Sequence, residues 1–276
     1  ITLGSWIVSR IISKIKNLFV FLGFCQFATA VSMILTLPLY ERLPYYLLKL
    51  SLTISNKPGN FPIFLAIEFL FCLIIMIIPT TFSGMSLPVV SRIASNDIKV
   101  LGKTVGSVFS INTIGTVVGA LLTGLVLIPL LGVKQTIEIG VLFNGLLGLS
   151  IFFLDKKFSI RWRIIFVAVF ILLGIGYKIQ YPEWNKHIAI SGVFRGLFVD
   201  VPPTFEEFKS HDEANRTILS YKEGVNANVA VIEIPTESST QRTLIINGKA
   251  DASTEGDLQT QILLAQVPLM MLPDTG

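Results

Sequence analysis

The stretch Thr104–Leu131 reads TVGSVFSINTIGTVVGALLTGLVLIPLL and carries no charged side chain along its whole length. An α-helix of about 20 consecutive apolar residues crosses the hydrocarbon core of a bilayer, which is roughly 30 Å thick. A helix of this length on the surface of a soluble protein would need a charged or polar face. The stretch therefore predicts a helix that crosses a membrane.

Comparable apolar runs lie on both sides of this stretch. The residues before Ile12 read as the end of one more span. Residues 1–180 are therefore predicted to form an α-helical membrane bundle of about five or six spans, in a multi-pass protein of the cell or inner membrane. The flanking runs are Asn17–Tyr40, Phe61–Phe82, Thr136–Leu154 and Ile164–Ile179.

The composition agrees with a bilayer as the main partner. Of the 276 residues, 52% are hydrophobic and only 14% are charged. The net charge of +4 comes from bases that flank apolar runs, which does not suggest nucleic-acid binding. We expect no metal site, because His187 and His211 stand apart from Cys25 and Cys72 in the sequence.

Basic residues are divided unevenly among the connections between the runs, and by the positive-inside rule the richer set is cytoplasmic. If Ile164–Ile179 crosses the membrane, the segment after it lies outside the cytoplasm. If this short run is interfacial or re-entrant instead, the segment after it lies in the cytoplasm. The richer set is Arg10, Lys14, Lys16, Arg92, Lys99, Lys103, Lys156, Lys157, Arg161 and Arg163, and the other is Arg42, Lys49, Lys57 and Lys134.

Small and polar residues within the runs give two hypotheses. Gly115, Gly119 and Gly124, with Ala120, give small residues at spacings of four, which favours close helix packing, with a substrate pathway as the alternative. Glu68 is the membrane carboxylate of most interest, either as a proton or cation site or as a protonated hydrogen-bond donor. A proton or cation site would favour a transporter resembling the major facilitators.

Charged residues become frequent after Tyr181, which predicts a soluble segment over residues 181–276. Asn228–Ile234 and Thr243–Asn247 are rich in β-branched residues and predict a hairpin, followed by a turn at Asn247-Gly248. Ser253 or Thr254 is then predicted to cap a helix that stops at Pro268. The fold class is therefore a membrane bundle followed by a small β-sheet domain.

Several motifs of this soluble segment resemble the N-terminal β-domain of spermidine synthases, over about residues 221–272. They are Tyr-Lys-Glu-Gly from Tyr221, Asn-Val-Ala-Val from Asn228, Leu-Ile-Ile-Asn-Gly-Lys-Ala-Asp-Ala-Ser from Leu244, Gly-Asp-Leu-Gln-Thr-Gln from Gly256 and Gln-Val-Pro-Leu-Met-Met from Gln266. Upstream, Gly84–Pro88, Val105–Gly115 and Leu127–Gly132 are similar to the membrane region of spermidine-synthase-like fusion proteins.

The resemblance implies transfer of an aminopropyl group from decarboxylated S-adenosylmethionine, the co-substrate, to putrescine. It also implies that the catalytic Asp and the nucleotide site belong to a Rossmann-like domain that follows the turn at 273–276. We therefore expect no catalytic residue and no cofactor in this chain, which would be a fragment and inactive alone. The family further implies a homodimer through the β-domain. An alternative to the enzyme is a non-catalytic membrane anchor or assembly module that uses the hairpin for dimerisation.

Four residues are carried over as substrate-binding positions. Gln261 matches a substrate-contacting Gln of the family, and Asp257 matches the acidic position before it. Thr260 stands where the family has a substrate-contacting Tyr, and Ala227 and Asp251 stand where it has Gln, so three positions that bear on putrescine specificity are changed. The alternative for Asp257 and Gln261, four residues apart on a polar helix face, is solvated surface.

Overall fold

The structure is a computed structural model and describes residues 1–54, 58–95, 101–193, 202–236 and 239–272. The predicted turn at 273–276, Glu237 and Ser238 of the predicted hairpin loop, and Lys57 and Lys99 of the charge pattern lie outside the described residues. The helices are α1 (Thr2–Ile11), α2 (Leu18–Ile54), α3 (Phe61–Ala94), α4 (Leu101–Leu122), α5 (Ile128–Leu154), α6 (Ile160–Gln180), α7 (Lys186–Ala189), α8 (Phe205–Asn215) and α9 (Leu258–Met271). The strands are β1 (Thr217–Glu223), β2 (Asn228–Pro235), β3 (Thr240–Ile246) and β4 (Lys249–Ser253).

Among the described residues, four helical stretches are long and apolar enough to cross a membrane. They are Leu18–Ile54, Phe61–Ala94, Gly102–Leu154 and Ile160–Gln180. The third and fourth predicted runs both fall within Gly102–Leu154, while each of the others falls within a stretch of its own. The predicted number of spans stays a prediction.

The stretch Gly102–Leu154 is interrupted at Gly132. At 1.5 Å per residue its 53 residues would extend about 80 Å, more than twice the thickness of a hydrocarbon core. Gly132 has φ 83° and ψ 169°, a backbone conformation that glycine adopts without a steric cost. A short π-helical segment, Thr123–Leu127, precedes this break. The break lies between the two predicted runs, where the sequence predicts a connection.

The described chain forms two compact units. The first comprises Ile1–Tyr40 and Leu65–Trp184, and the second comprises Glu41–Phe64 and Asn185–Gly276. The sequence analysis divided the chain at residue 180 and did not predict that Glu41–Phe64 groups with the second unit. The end of α2 is apolar enough to be read as membrane helix, and only its packing on later residues shows the grouping.

Close helix contacts in the first unit occur at glycines of α1, α2, α3 and α5. Gly148 is buried against the backbone of α2, where a Cβ atom would lie 2.8 Å from the Gly23 carbonyl oxygen and from the Phe27 nitrogen. Ser5 Oγ donates a hydrogen bond of 2.8 Å to the Gly84 carbonyl oxygen. Phe152, at the end of α5, is almost fully buried in the same unit. These contacts define the core of the first unit.

The predicted packing face of α4 has no neighbour in the part of the chain that the structure describes. No atom lies within 4 Å of a Cβ position built at Gly115 or Gly119, and the surrounding residues of α4 are exposed. The prediction of close helix packing at these glycines is therefore not met by the described residues. The small residues are present in α4, but no described helix packs against Gly115 or Gly119.

The sheet of the second unit is an antiparallel meander in the order β1-β2-β3-β4. The predicted hairpin is confirmed as β2 and β3, with Ala230 opposite Ile245 and Ile232 opposite Thr243 on the buried face. Asn247 and Gly248, with φ of 48° and 76°, make the predicted turn into β4. The sequence analysis did not predict β1 or β4.

Two details of the predicted helix after β4 are wrong. The residue before its first turn is Asp257, and neither Ser253 nor Thr254 caps it. Ser253 ends β4, and Thr254 Oγ1 instead accepts a hydrogen bond from the Arg242 N–H at 3.0 Å. The helix also continues through Pro268 to Met271, although Pro268 has no N–H to donate to the carbonyl of Leu264.

Candidate functional site

The four predicted substrate-binding residues lie on β4 and on the first turn of α9. Asp251 is on β4, Asp257 precedes α9, and Thr260 and Gln261 follow within it. The Gln261 N–H donates to the Asp257 carbonyl oxygen at 3.0 Å, so these two residues are one helical turn apart. No hydrogen bond or ion pair joins Asp251 or Thr260 to them within the described ranges. The structure therefore brings together one pair of the four.

Gln261 has an unsatisfied polar group. Its side chain is half-buried, and its amide nitrogen is shielded from solvent without a hydrogen-bond partner among the described residues. A buried donor left unpaired costs about 1–3 kcal/mol, so such groups usually have a partner. Rotation of the amide would present its oxygen at the same place. Gln261 therefore carries a polar group that lacks a partner among the described residues.

The two carboxylates differ in their partners. Asp251 Oδ1 lies 2.8 Å from Lys249 Nζ in a partly exposed ion pair. Asp257 is exposed; its N–H donates to Ser253 Oγ at 2.9 Å, and its carboxylate has no ion-pair partner in the described part of the chain. Asp257 thus offers a negative charge to a cation, while the charge of Asp251 is already balanced.

Tyr221, from the Tyr-Lys-Glu-Gly motif, lies on β1 and makes a hydrogen bond within the sheet. Its hydroxyl donates to Glu223 Oε1 at 2.8 Å. Burial raises the pKa of Tyr221 above its ordinary value of 10.0, and the hydrogen bond to the Glu223 carboxylate raises it further. The phenol is therefore a neutral donor at physiological pH and not a base.

A second group of charges lies in the first unit and was missed by the sequence analysis. We name Lys134, Glu138 and Lys178 the ion cluster. Glu138 Oε2 lies 2.6 Å from Lys178 Nζ, and Glu138 Oε1 lies 3.4 Å from Lys134 Nζ. Lys134 is only 8% exposed. The spacing of Lys134 and Glu138 by four residues was a signal in the sequence, but the pairing with Lys178 depends on the packing of α6 on α5.

Lys134 also binds the end of α6. Its Nζ donates to the carbonyl oxygens of Tyr181 and Pro182 at 2.6 and 2.7 Å. Carbonyl groups after a helix end lack partners within the helix, and a cation there is favourable. The sequence analysis placed Lys134 in a connection and singled out Glu68 instead. Glu68 is half-buried on α3 and has no ion pair within the described residues.

A cavity of about 470 Å³ adjoins the ion cluster. Its walls are mainly apolar side chains of α2, α5 and α6, and Gln135, Glu138 and Lys178 supply polar groups. Ligand sites commonly have this volume and this mixture of an apolar wall with a few polar groups. In the described residues no set of three His, Cys, Asp or Glu side chains is grouped for a metal ion.

Comparison of the chain with protein-family models, with curated proteins and with solved structures found no match. A proposal of function therefore rests on the fold, on the predicted substrate-binding residues of β4 and α9, and on the ion cluster with its cavity.

Proposed function

We propose that this chain supplies the membrane region and the N-terminal β-domain of a membrane-bound, spermidine-synthase-like aminopropyltransferase. The observation that carries the proposal is the pair on α9, where the shielded amide of Gln261 lies one turn from the exposed carboxylate of Asp257. Four helices of membrane-spanning length, an antiparallel sheet and this helix follow one another along the chain in the order that the resemblance requires. The protein is accordingly a multi-pass membrane protein.

The pair suits the binding of a diamine. An alkyl diamine presents an ammonium group, which Asp257 can attract, and N–H donors, which the Gln261 amide oxygen can accept. In the reaction, the other amine nitrogen attacks the carbon bonded to the sulfonium of decarboxylated S-adenosylmethionine. The new C–N bond forms as the C–S bond breaks, the sulfur leaves as a neutral thioether, and the amine loses a proton. Catalysis is then mainly positioning and deprotonation.

The exposed apolar surface of α9 supports a further domain beside it. Leu264, Leu269 and Met270 are 73%, 66% and 79% exposed in the described chain. Large apolar side chains that are exposed all around a helix are favourable positions for contact with another part of a protein. In the proposal the Rossmann-like domain, which holds the catalytic Asp and the nucleotide site, covers this helix.

The first experiment is to sequence the gene beyond the codon for Gly276. The proposal expects a hydrophobic strand, a Gly-x-Gly loop and a strand that ends in an acidic residue. A stop codon at that point would contradict it and would favour a transporter or a scaffold.

The second experiment assays the full protein in bilayers with decarboxylated S-adenosylmethionine and a series of diamines that includes putrescine. Gln261→Ala and Asp257→Asn should each raise the KM for the diamine about tenfold, as expected for loss of one hydrogen bond or ion pair to a charged ligand. The control is Glu206→Gln on α8, which removes an exposed carboxylate of the same unit and should leave the KM unchanged. Absence of aminopropyl transfer from any of the diamines would overturn the proposal.

A further inference from the structure

The ion cluster and the cavity beside it are not used by the proposed reaction. Two lysines face one glutamate, so the cluster keeps a net positive charge beside walls that are mostly apolar. Lys134 is held by two backbone carbonyl oxygens, which balance no charge. Lys178 is the accessible cation, because 56% of its side chain is exposed. A ligand that matches both the positive charge of Lys178 and the apolar walls has an anionic group and a long apolar part.

A polar side chain beside Lys178 adds to the preference for an anion. Gln135, on the turn of α5 that follows the break at Gly132, lines the cavity and offers amide N–H donors. The polar end of the cavity therefore combines the positive charge of Lys178 with a neutral donor.

Aromatic side chains indicate the depth of this site in a membrane. Tyr177 and Tyr181 stack at the C-terminal end of α6 with their centroids 5.8 Å apart, and Trp184, just after α6, stacks on Tyr40 of α2 at 6.4 Å. Tyr and Trp concentrate at the level of the lipid headgroups. Lys178, which is next to Tyr177 in the sequence, is therefore at headgroup level while the apolar walls extend toward the acyl chains.

We propose that the cavity between α2, α5 and α6 binds an anionic phospholipid, with one acyl chain along the apolar walls and the phosphate at Lys178. Glu138 limits the affinity, because its carboxylate competes with the phosphate for Lys178. The site rests on the membrane placement proposed above and not on aminopropyl transfer, so loss of the transferase activity would leave it standing.

The test measures lipid binding to the purified protein in mild detergent by native mass spectrometry, with phosphatidylglycerol and phosphatidylcholine of the same acyl chains. Phosphatidylglycerol should bind about fivefold more tightly, as one basic side chain near a headgroup provides. Lys178→Gln should remove the difference, and Glu138→Gln should increase it. Lys156→Gln, an equal charge change at an exposed position at the other end of α5, should leave it unchanged.

A second pair of variants tests whether an acyl chain occupies the cavity, without changing any charged residue. Gly174 lines the cavity and has open space around its Cβ position, so Gly174→Phe should fill the cavity and weaken binding of both lipids. Gly176, two residues further on, also has open space but is not part of the cavity wall, so Gly176→Phe is the matched control. Equal affinity for the two lipids, or unchanged binding to Gly174→Phe, would overturn the proposal.

Discussion

Asp155 shows how one side chain connects two helices of the first unit. The Asn17 side chain donates to its Oδ2 at 2.5 Å, and the Lys157 N–H donates to its Oδ1 at 2.8 Å. Asn17 in turn accepts N–H groups of Phe19 and Val20 at the start of α2, both at 3.1 Å. These two hydrogen bonds hold the pKa of Asp155 below its ordinary value of 3.8, and the nearby charges of Lys157 and Arg163 act in the same direction.

A pH dependence of stability follows from this carboxylate. Since the folded pKa lies below 3.8, ionised Asp155 stabilises the fold above that pH, and the contribution is lost as the pH falls through the folded pKa. Asp155→Asn should lower the melting temperature at pH 7 and remove this part of the acid dependence, as measured by circular dichroism in detergent. Glu183→Gln is the control, because this carboxylate is exposed and makes no hydrogen bond or ion pair within the described ranges. The assignment is wrong if both variants melt alike between pH 7 and pH 3.

At the residue scale, the sequence motifs identified part of the candidate site, and side-chain packing identified the rest. Gln261 and Asp257 were found from the motif, but the shielding of the Gln261 amide depends on packing that no local pattern contains. Lys134 and Glu138 have a helical spacing, yet their importance comes from Lys178, which is 44 and 40 residues away from them in the sequence. Glu68 was favoured because it lies inside an apolar run, and the structure gives it no ion-pair partner among the described residues.

At the scale of the helices, glycines distinguish packed from unpacked surfaces. Gly148→Ala should destabilise the protein by about 1–3 kcal/mol, because the added methyl group meets the α2 backbone. Gly119→Ala is the matched control, since open space surrounds that position. Thermal unfolding of both variants in the same detergent checks the difference. Equal melting temperatures would show that α2 and α5 do not approach each other at Gly148.

The predictability of the strands and of α9 has a physical explanation. The hairpin of β2 and β3 was predictable because its residues are β-branched and its buried positions alternate. β4 reads Lys-Ala-Asp-Ala-Ser and has no residue pattern typical of a strand, and β1 carries Thr217, Ile218 and Tyr221 but ends in Lys-Glu. They form strands because they pair with the central hairpin. Ser253 was mistaken for a helix cap for the same reason, since its role depends on the extent of β4.

At the scale of the whole molecule, each compact unit has a core of its own. Phe208 is 1% exposed and packs with Tyr45, Leu48, Ile188 and Val193 in the second unit. Chains with more than one unit commonly depart from a single two-state transition. We therefore expect two separable unfolding transitions in calorimetry of the protein in detergent.

Two core substitutions assign these transitions. Phe208→Ala should destabilise the second unit by about 3–5 kcal/mol through loss of buried area and creation of a cavity, and should lower one transition. Phe152→Ala, at a residue 1% exposed in the first unit, should lower the other. If both substitutions shift every transition equally, the two units unfold as one and the division is wrong.

The stack of Trp184 on Tyr40 gives the molecule an intrinsic optical signal. Trp184 packs against the cluster of Ile34, Leu37, Val141 and Tyr177. These four side chains also line the cavity between α2, α5 and α6. Its fluorescence emission should therefore change when the cavity fills, and brominated acyl chains should quench it. Since the chain has only three tryptophans, replacing Trp6 and Trp162 by Phe would leave a single native fluorophore that follows occupancy in real time, without a dye.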